Sequence, residues 1–406
     1  MHELENRIWW HLYPLGAAGA PPRRAAQGDQ PWEGHRLRRL EPWLDYAADL
    51  GFTGILLGPI FESTSHGYDT LDHFRLDPRL GDESDWASFV ARAQERDLAI
   101  MLDGVFNHLG ADHPLAQDPS WPGLKRDEHG RPLPWEGHDA LVELDHSRPE
   151  VHRLVQDVMT HWLDRGASGW RLDVAYAVPS DFWAAVLPAV RERHPAAMFL
   201  GEVIHGDYAR IATAGTLDAV TQYELWKAIW SAQKDMNLFE LGHALGRHAD
   251  FSREAGNAVM QTFVGNHDVP RIASTVGDAG AALSAIMLFA LPGMPSVYYG
   301  DEQAFRGEKA DGYAADDPLR PPLPDSPEEL SGQGRWLAEL HHELASLRGR
   351  CPWLTRGQVQ VEHTENELIR FATIAEHDRL DVEIALAPAP RARLILNGQT
   401  VLEWAG

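Results

Sequence analysis

Strand and helix patterns that alternate along most of the chain predict an α/β protein: a closed (β/α)8 barrel with a small excursion after strand 3 and a small C-terminal antiparallel β domain. Three observations carry that prediction. Eight short apolar runs recur, as expected of strands covered on both faces. Amphipathic segments of helical period separate them. After Pro352 the pattern changes to short strands divided by polar and turn-forming residues.

In order, the runs are Ile8 to Tyr13, Gly54 to Leu57, Leu98 to Leu102, Gly169 to Leu172, Met198 to Leu200, Ala219 to Thr221, Ala258 to Phe263 and Ser296 to Tyr299. Helical patterns lie between them at Leu37 to Leu50, Ser84 to Asp97, Pro149 to Arg165, Asp181 to His194, Tyr223 to Lys234 and Ala279 to Leu291. An Ala, Gly and Pro-rich loop, Gly16 to Gln27, follows the first strand and is placed near the barrel mouth. The Pro, His, Asp and Trp-rich stretch from Leu109 to Arg148 interrupts the alternation and reads as a lobe beside the mouth. A loop from Gly307 to Gly334 and a helix from Arg335 to Leu347 complete the barrel, and His341-His342 on that helix reads as a solvated face. Strands at Val359 to Val361, Leu368 to Thr373, Val382 to Leu386 and Arg393 to Leu396 form the last unit. The expected organisation is therefore 1–108 and 149–352 for the barrel, 109–148 for the excursion and 353–406 for the β domain.

Length and charge narrow the function. The 406 residues include 36 Lys and Arg against 60 Asp and Glu, a formal charge of -24, which disfavours nucleic acid and anionic membrane and suits a neutral ligand. Cys351 is the sole cysteine, and Met1 to Arg7 has no basic stretch leading into an apolar run, so the expected location is the cytoplasm. The most apolar segment, Ala279 to Leu291, runs into Pro292-Gly293 as a buried helix does, and no membrane span is expected.

Four apolar runs end in residues that a core rejects: Asp103 to His108, Arg171 and Asp173, Glu202, and Asn266 to Asp268. In a barrel such ends converge on one mouth. Cleaving a glycoside with retention needs one carboxylate as nucleophile and a second carboxyl group as acid and then base, roughly 5 Å apart. Asp173 and Glu202, ending successive strands, suit those roles. Arg171 shares a face with Asp173 and is expected to hold it ionised, while burial raises Glu202 toward an acid. Asp268 would stabilise the developing charge, with His108, His267, Tyr68 and Asp69 offering hydrogen bonds and an aromatic face, and Arg271 pairing with a carboxylate. Asp103 reads as a turn-opening acid that supports Asn107 and His108. Trp9 and Trp10 read as barrel wall; Trp121 and Trp135, in the excursion, either stack on sugar or pin their loop.

These stretches, with Gly51-Phe52-Thr53-Gly54-Ile55, Pro59 and Gly293 to Glu302, resemble the motifs of the α-amylase family, glycoside hydrolase family 13. The resemblance covers residues from about 8 to 305 and implies a TIM barrel with Asp173 as nucleophile, Glu202 as acid/base and Asp268 as transition-state stabiliser. It places Arg171, His108, His267, Tyr68 and Asp69 at the sugar being cleaved. Asn107 matches a calcium ligand of the family and Asp145 is a candidate for another, though no cofactor is required. Starch-degrading members usually carry a Lys-His pair after the nucleophile. Here the run is Asp173-Val174-Ala175-Tyr176-Ala177, which weighs against a tight calcium site and moves the expected substrate toward short α-linked gluco-oligosaccharides. A transglycosylase would use the same residues; a non-catalytic sugar-binding or assembly barrel would typically have lost some of the three acids. Linkage, chain length and oligomeric state are not written in the sequence.

Overall fold

A computed structural model of the chain describes residues 2–23 and 31–406. Eight parallel strands close into a barrel: β1 (Trp9–Leu12), β2 (Gly54–Leu57), β3 (Ala99–Gly104), β4 (Gly169–Leu172), β5 (Met198–Gly201), β6 (Ala219–Thr221), β7 (Val259–Phe263) and β8 (Met294–Tyr298). Each strand pairs with its sequence neighbours, and the ring closes where Trp9 of β1 pairs with Gly54 of β2 on one side and Ser296 of β8 on the other. Such a ring leaves no free edge.

Alternation along each strand divides the core in two. Trp9, Leu56, Met101, Met198, Leu200 and Met294 fill the barrel interior, whereas Trp10, Ile55, Trp170, Leu172 and Phe199 face the surrounding helices. Trp9 fits because its neighbour on β2 is Gly54, where a Cβ would lie 2.7 Å from the indole ring. Both tryptophans are thus wall residues on opposite sides of one strand.

The outer layer consists of α1 (Glu41–Asp49), α2 (Glu83–Glu95), α3 (Pro149–Leu163), α4 (Ser180–Arg193), α5 (Tyr208–Gly215), α6 (Tyr223–Lys234), α7 (Leu238–Glu254), α8 (Ile272–Ala290) and α9 (Arg335–Arg350). Local chemistry starts these helices. Asp82 caps α2 by accepting from the Ser84 and Asp85 amides, and Pro149 opens α3 where its missing N–H costs nothing. The helix α8 is long and apolar enough to cross a membrane by length and composition, but Gly280 to Ala290 is buried within this fold. Arg348 of α9 donates to the Phe289 and Leu291 carbonyls at its end, and Thr373 Oγ1 to that of Ala290.

Thr373 belongs to a five-stranded antiparallel sheet, β9 (Gln358–Thr364), β10 (Leu368–Ala375), β11 (Asp378–Ala385), β12 (Arg391–Leu396) and β13 (Gln399–Ala405). β13, whose residues are mostly exposed, is not among the strands expected from the sequence, and neither α5, α7 nor a hairpin of Phe61–Ser63 with Thr70–Leu76 is among the expected elements. The excursion after β3 folds as a three-stranded sheet of His108–Gly110, His138–Glu143 and Pro134–Trp135. One expectation is corrected here: His341 is buried, its Nδ1 2.8 Å from the Leu337 carbonyl, and only His342 faces solvent.

His341 is one of several buried neutral imidazoles. Burial pushes His73, His108, His146, His248 and His341 each from 6.5 down to about 4. The unfolded chain binds protons at these sites below about pH 6.5, whereas the folded chain resists until about pH 4, so their stabilisation is complete above 6.5 and is lost as pH falls through that window. Melting temperatures measured in steps from pH 7.5 to 4 are expected to drop progressively below 6.5; a flat profile would show that these histidines do not control acid stability.

Candidate active site

The backbone ladder places the acids. Beyond the assigned strand ends, the Asp173 amide donates to the Gly104 carbonyl at 3.1 Å and the Glu202 amide to the Leu172 carbonyl at 2.9 Å, so β3, β4 and β5 deliver their terminal residues side by side. In that register Asp103 lies directly opposite Arg171. Arg171, inward-facing and two residues before Asp173, becomes the hub of the site. Its Nη1 reaches both Asp103 oxygens at 2.7 Å and Asp173 Oδ1 at 3.1 Å, while Nη2 lies 2.5 Å from Glu202 Oε1.

This corrects two sequence expectations. Asp103 does not support Asn107 and His108; it anchors Arg171 and accepts from the Tyr68 hydroxyl at 2.9 Å. Nor is Arg171 reserved for Asp173, because three buried carboxylates share its one charge. Burial, reinforced by the Glu202 charge, pushes Asp173 well above the usual carboxylate range while Arg171 opposes it, and burial raises Asp103 to about 6. The free site is therefore short of positive charge, which favours the cationic character that an oxocarbenium-like transition state develops.

Glu202 is held at both oxygens. Oε1 accepts from the Tyr223 hydroxyl at 3.0 Å and is the ion-pair partner of Arg171, and Oε2 accepts from the Val174 amide at 3.0 Å. Val174 reaches that position with φ of 48°, a left-handed conformation that costs a β-branched residue on the order of 1–3 kcal/mol. The strain falls on the residue next to Asp173, where it aims an N–H at the neighbouring acid.

Asp268 stands at the turn after β7. Its amide donates to Asn266 Oδ1 at 2.9 Å, and its side chain, 38% exposed, is far more open than that of Asp173 or Glu202. Its partner is Arg320, with Nη2 3.0 Å from Oδ1; this residue in the Pro and Asp-rich loop escaped the sequence reading. Arg271, the expected arginine, is buried instead: it pairs with Asp301 at 3.0 Å and donates to the Leu319 carbonyl at 2.8 Å, fastening the loop that carries Arg320.

The aromatic and histidine positions cluster around these acids. The rings of Tyr68 and His267 stack at 5.4 Å, with the Tyr68 hydroxyl bonded to His267 Nε2. Burial keeps His267 neutral, and Nε2 also lies 3.1 Å from Asp268 Oδ2, so a proton on Nε2 satisfies both neighbours. His108 stacks on Trp135 at 6.0 Å. Trp135 therefore belongs to the cleft, whereas Trp121 packs against the core and pins its loop. Asp69 is buried, and its two oxygens accept from the Ser65 amide and hydroxyl at 3.1 and 2.6 Å.

Tyr68, His108, Trp135, Asp173, Asp268 and Arg320 line a cleft of about 450 Å³. A second pocket of about 430 Å³ adjoins it, walled by Leu15, Gly16 and Gly19 to Pro22, so this part of the Gly16 to Gln27 loop does reach the mouth; residues 24–27 lie outside the described residues. Arg23 and Asp317, paired at 3.0 and 3.1 Å, line both.

The donor set does not fit calcium at Asn107 and Asp145. Asp145 Oδ1 accepts from the Ser147 amide and hydroxyl and Oδ2 from Arg148, so both oxygens are committed and a guanidinium already sits beside them. Asn107 Nδ2 contacts His108 Nδ1 at 3.3 Å.

A closed barrel that carries acids just past its fourth and fifth strands and in the turn after its seventh, two of them joined by one arginine, has the equipment of a glycosidase. Residues 22–121 and 135–336 match the family model for the alpha amylase catalytic domain, and the chain belongs to the α-amylase family. It is 31% identical over 396 residues to a cyclomaltodextrinase of Geobacillus thermopakistaniensis, covering 90% of this chain and 66% of that protein. It is 28% identical to neopullulanase 2 of Thermoactinomyces vulgaris, covering 91% and 67%, and 28% identical to the intracellular maltogenic amylase of Bacillus subtilis, covering 75% and 56%. The chain thus spans between about half and two thirds of the length of these curated relatives. Among solved structures, the cyclic α-maltosyl-(1→6)-maltose hydrolase of Arthrobacter globiformis, in complex with that sugar, superposes with a TM-score of 0.81 at 22% identity, covering 99% of this chain and 98% of the other, which establishes a shared fold.

Proposed function

We propose that this chain is a retaining α-glycosidase that hydrolyses α-glucosidic bonds of maltodextrin-like oligosaccharides. The observation that carries the reading is the Arg171 hub, which fixes Asp173 and Glu202 as neighbours beneath a cleft bounded by Asp268. With the proton on Glu202, the charge that opposes ionisation of Asp173 is gone and Arg171 favours the Asp173 carboxylate. Glu202 then gives its proton to the departing glycosidic oxygen as Asp173 Oδ attacks the anomeric carbon from the opposite face, so the C–O bond to the leaving sugar breaks as the glycosyl–Asp173 bond forms. Glu202, now a carboxylate, takes a proton from water as that water displaces Asp173. Arg320 and His267 hold Asp268 beside the developing charge.

The segments 1–108 and 149–352 supply the acids in this reading, and 109–148 supplies Trp135 as a sugar wall. The relatives' names, cyclomaltodextrinase, neopullulanase and maltogenic amylase, support short or cyclic α-glucans as the substrate class. A cytoplasmic location is supported by the single cysteine and by the intracellular Bacillus subtilis relative.

A substrate panel of maltose, maltotriose, isomaltose, cyclodextrins, trehalose and sucrose, with products resolved over time, tests the proposal. Release of glucose or maltose from the maltose series or cyclodextrins is the expected result. Products longer than the starting sugar, growing with its concentration, would mark a transglycosylase, and a protein inert toward every α-glucan and α-glucoside would remove the enzymatic reading.

A further inference from the structure

Tyr223 opens α6 directly after β6 and belongs to none of the motifs that identify the acids. Its hydroxyl donates to Glu202 Oε1 at 3.0 Å and receives from Asn266 Nδ2 at 2.8 Å. The direction of both bonds follows from one fixed donor. The Asp268 backbone N–H can only donate, and it lies 2.9 Å from Asn266 Oδ1, so the Asn266 carbonyl faces Asp268 and its NH2 faces Tyr223. The phenol oxygen is then an acceptor toward Asn266, and its single proton is left to point at Glu202. The ring cannot swing away, being wedged edge-on against Phe263 at 4.9 Å and Trp226 at 5.9 Å.

A carboxyl group has about four lone-pair sites. At Glu202 one site on each oxygen is taken by a group that can only donate in this arrangement, Tyr223 at Oε1 and the Val174 amide at Oε2, and the Arg171 guanidinium lies 2.5 Å from Oε1 as an ion-pair partner. We propose that Tyr223, oriented by Asn266, is a positioning residue for Glu202: by donating to Oε1, the oxygen that Arg171 also faces, it leaves the transferable proton to Oε2. The proposal rests on the reading of Glu202 as the acid/base. It also ties the stabiliser strand to the acid, because the chain of bonds runs from the Asp268 amide through Asn266 and Tyr223 to Glu202.

The test compares leaving groups. A departing sugar needs a proton, whereas fluoride leaves without one, and kcat/KM reports only the steps up to departure. Tyr223→Phe keeps the ring and removes the hydroxyl. Relative to the unaltered protein, it is expected to lower kcat/KM for maltotriose by about 10- to 100-fold, the range for a hydrogen bond to a charged group, while kcat/KM for α-maltosyl fluoride changes less than about threefold. Asn266→Ala, which frees the phenol to rotate, is expected to show the same selectivity at smaller size. Glu202→Gln is the reference and should be more selective still. Equal losses on both substrates in Tyr223→Phe, or no loss on either, with Glu202→Gln selective, would overturn the role of Tyr223 alone. Equal losses in Glu202→Gln would overturn the acid/base reading and the proposal with it.

Discussion

Asp173→Asn is expected to cut turnover of maltodextrins by on the order of 10⁴-fold or more, because an amide cannot form the covalent glycosyl intermediate. The fold should survive. The variant is nearly isosteric, and it replaces a carboxylate whose ionised form burial and Glu202 already disfavour, so its melting temperature is expected to equal or exceed that of the unaltered protein. Oligosaccharide binding, followed by calorimetry, should persist. Mass spectrometry after reaction with a slow fluorinated glycosyl donor gives the complementary result, with the label expected on Asp173. Full turnover in the variant, or a label on another carboxylate, would remove Asp173 from the nucleophile's role.

Arg171→Met is the change with the largest expected effect on the fold. It leaves Asp103, Asp173 and Glu202 buried together without their cation, and breaking a buried ion pair from one side costs about 3–5 kcal/mol. The sign with pH follows from the charges. In the variant the ionised carboxylates are disfavoured in the folded state, so that state binds protons more readily than the unfolded chain, and the deficit shrinks as pH falls. Thermal melts at pH 8 and pH 5.5 should therefore show a larger gap from the unaltered protein at pH 8. Adding Asp103→Asn should recover part of the loss by removing one uncompensated charge. A gap independent of pH would mean that packing, and not charge, explains the effect of Arg171.

The eight strands could be read from the sequence because a strand buried on both faces leaves an uninterrupted apolar run, and Gly54–Leu57 and Gly169–Leu172 were bounded to the residue. Elements without that signature were not legible. The hairpin of Phe61–Ser63 and Thr70–Leu76 mixes apolar with polar and charged residues and pairs in an irregular register, and α7 carries Gly242 and Gly246 within its span. The acids could be found because they end strands. Their supports could not, since the Asp103–Arg171 contact depends on register between separate strands, and Arg320 and Tyr223 come from a loop and a helix start with no local pattern aimed at the site. Arg271 illustrates the limit: its place just past Asp268 leaves open which carboxylate it pairs with, and the chain turns and delivers it to Asp301.

Closure of the barrel between β1 and β8 also governs how the chain can be made. Trp9 cannot meet Ser296 until the eighth strand has left the ribosome, roughly 290 residues after the first, which at about 5–20 residues per second is on the order of 15–60 s. For that interval the first strand carries an unpaired edge on the side that β8 later fills. The time for which that edge stays open is thus set by the distance between the two ends of one ring.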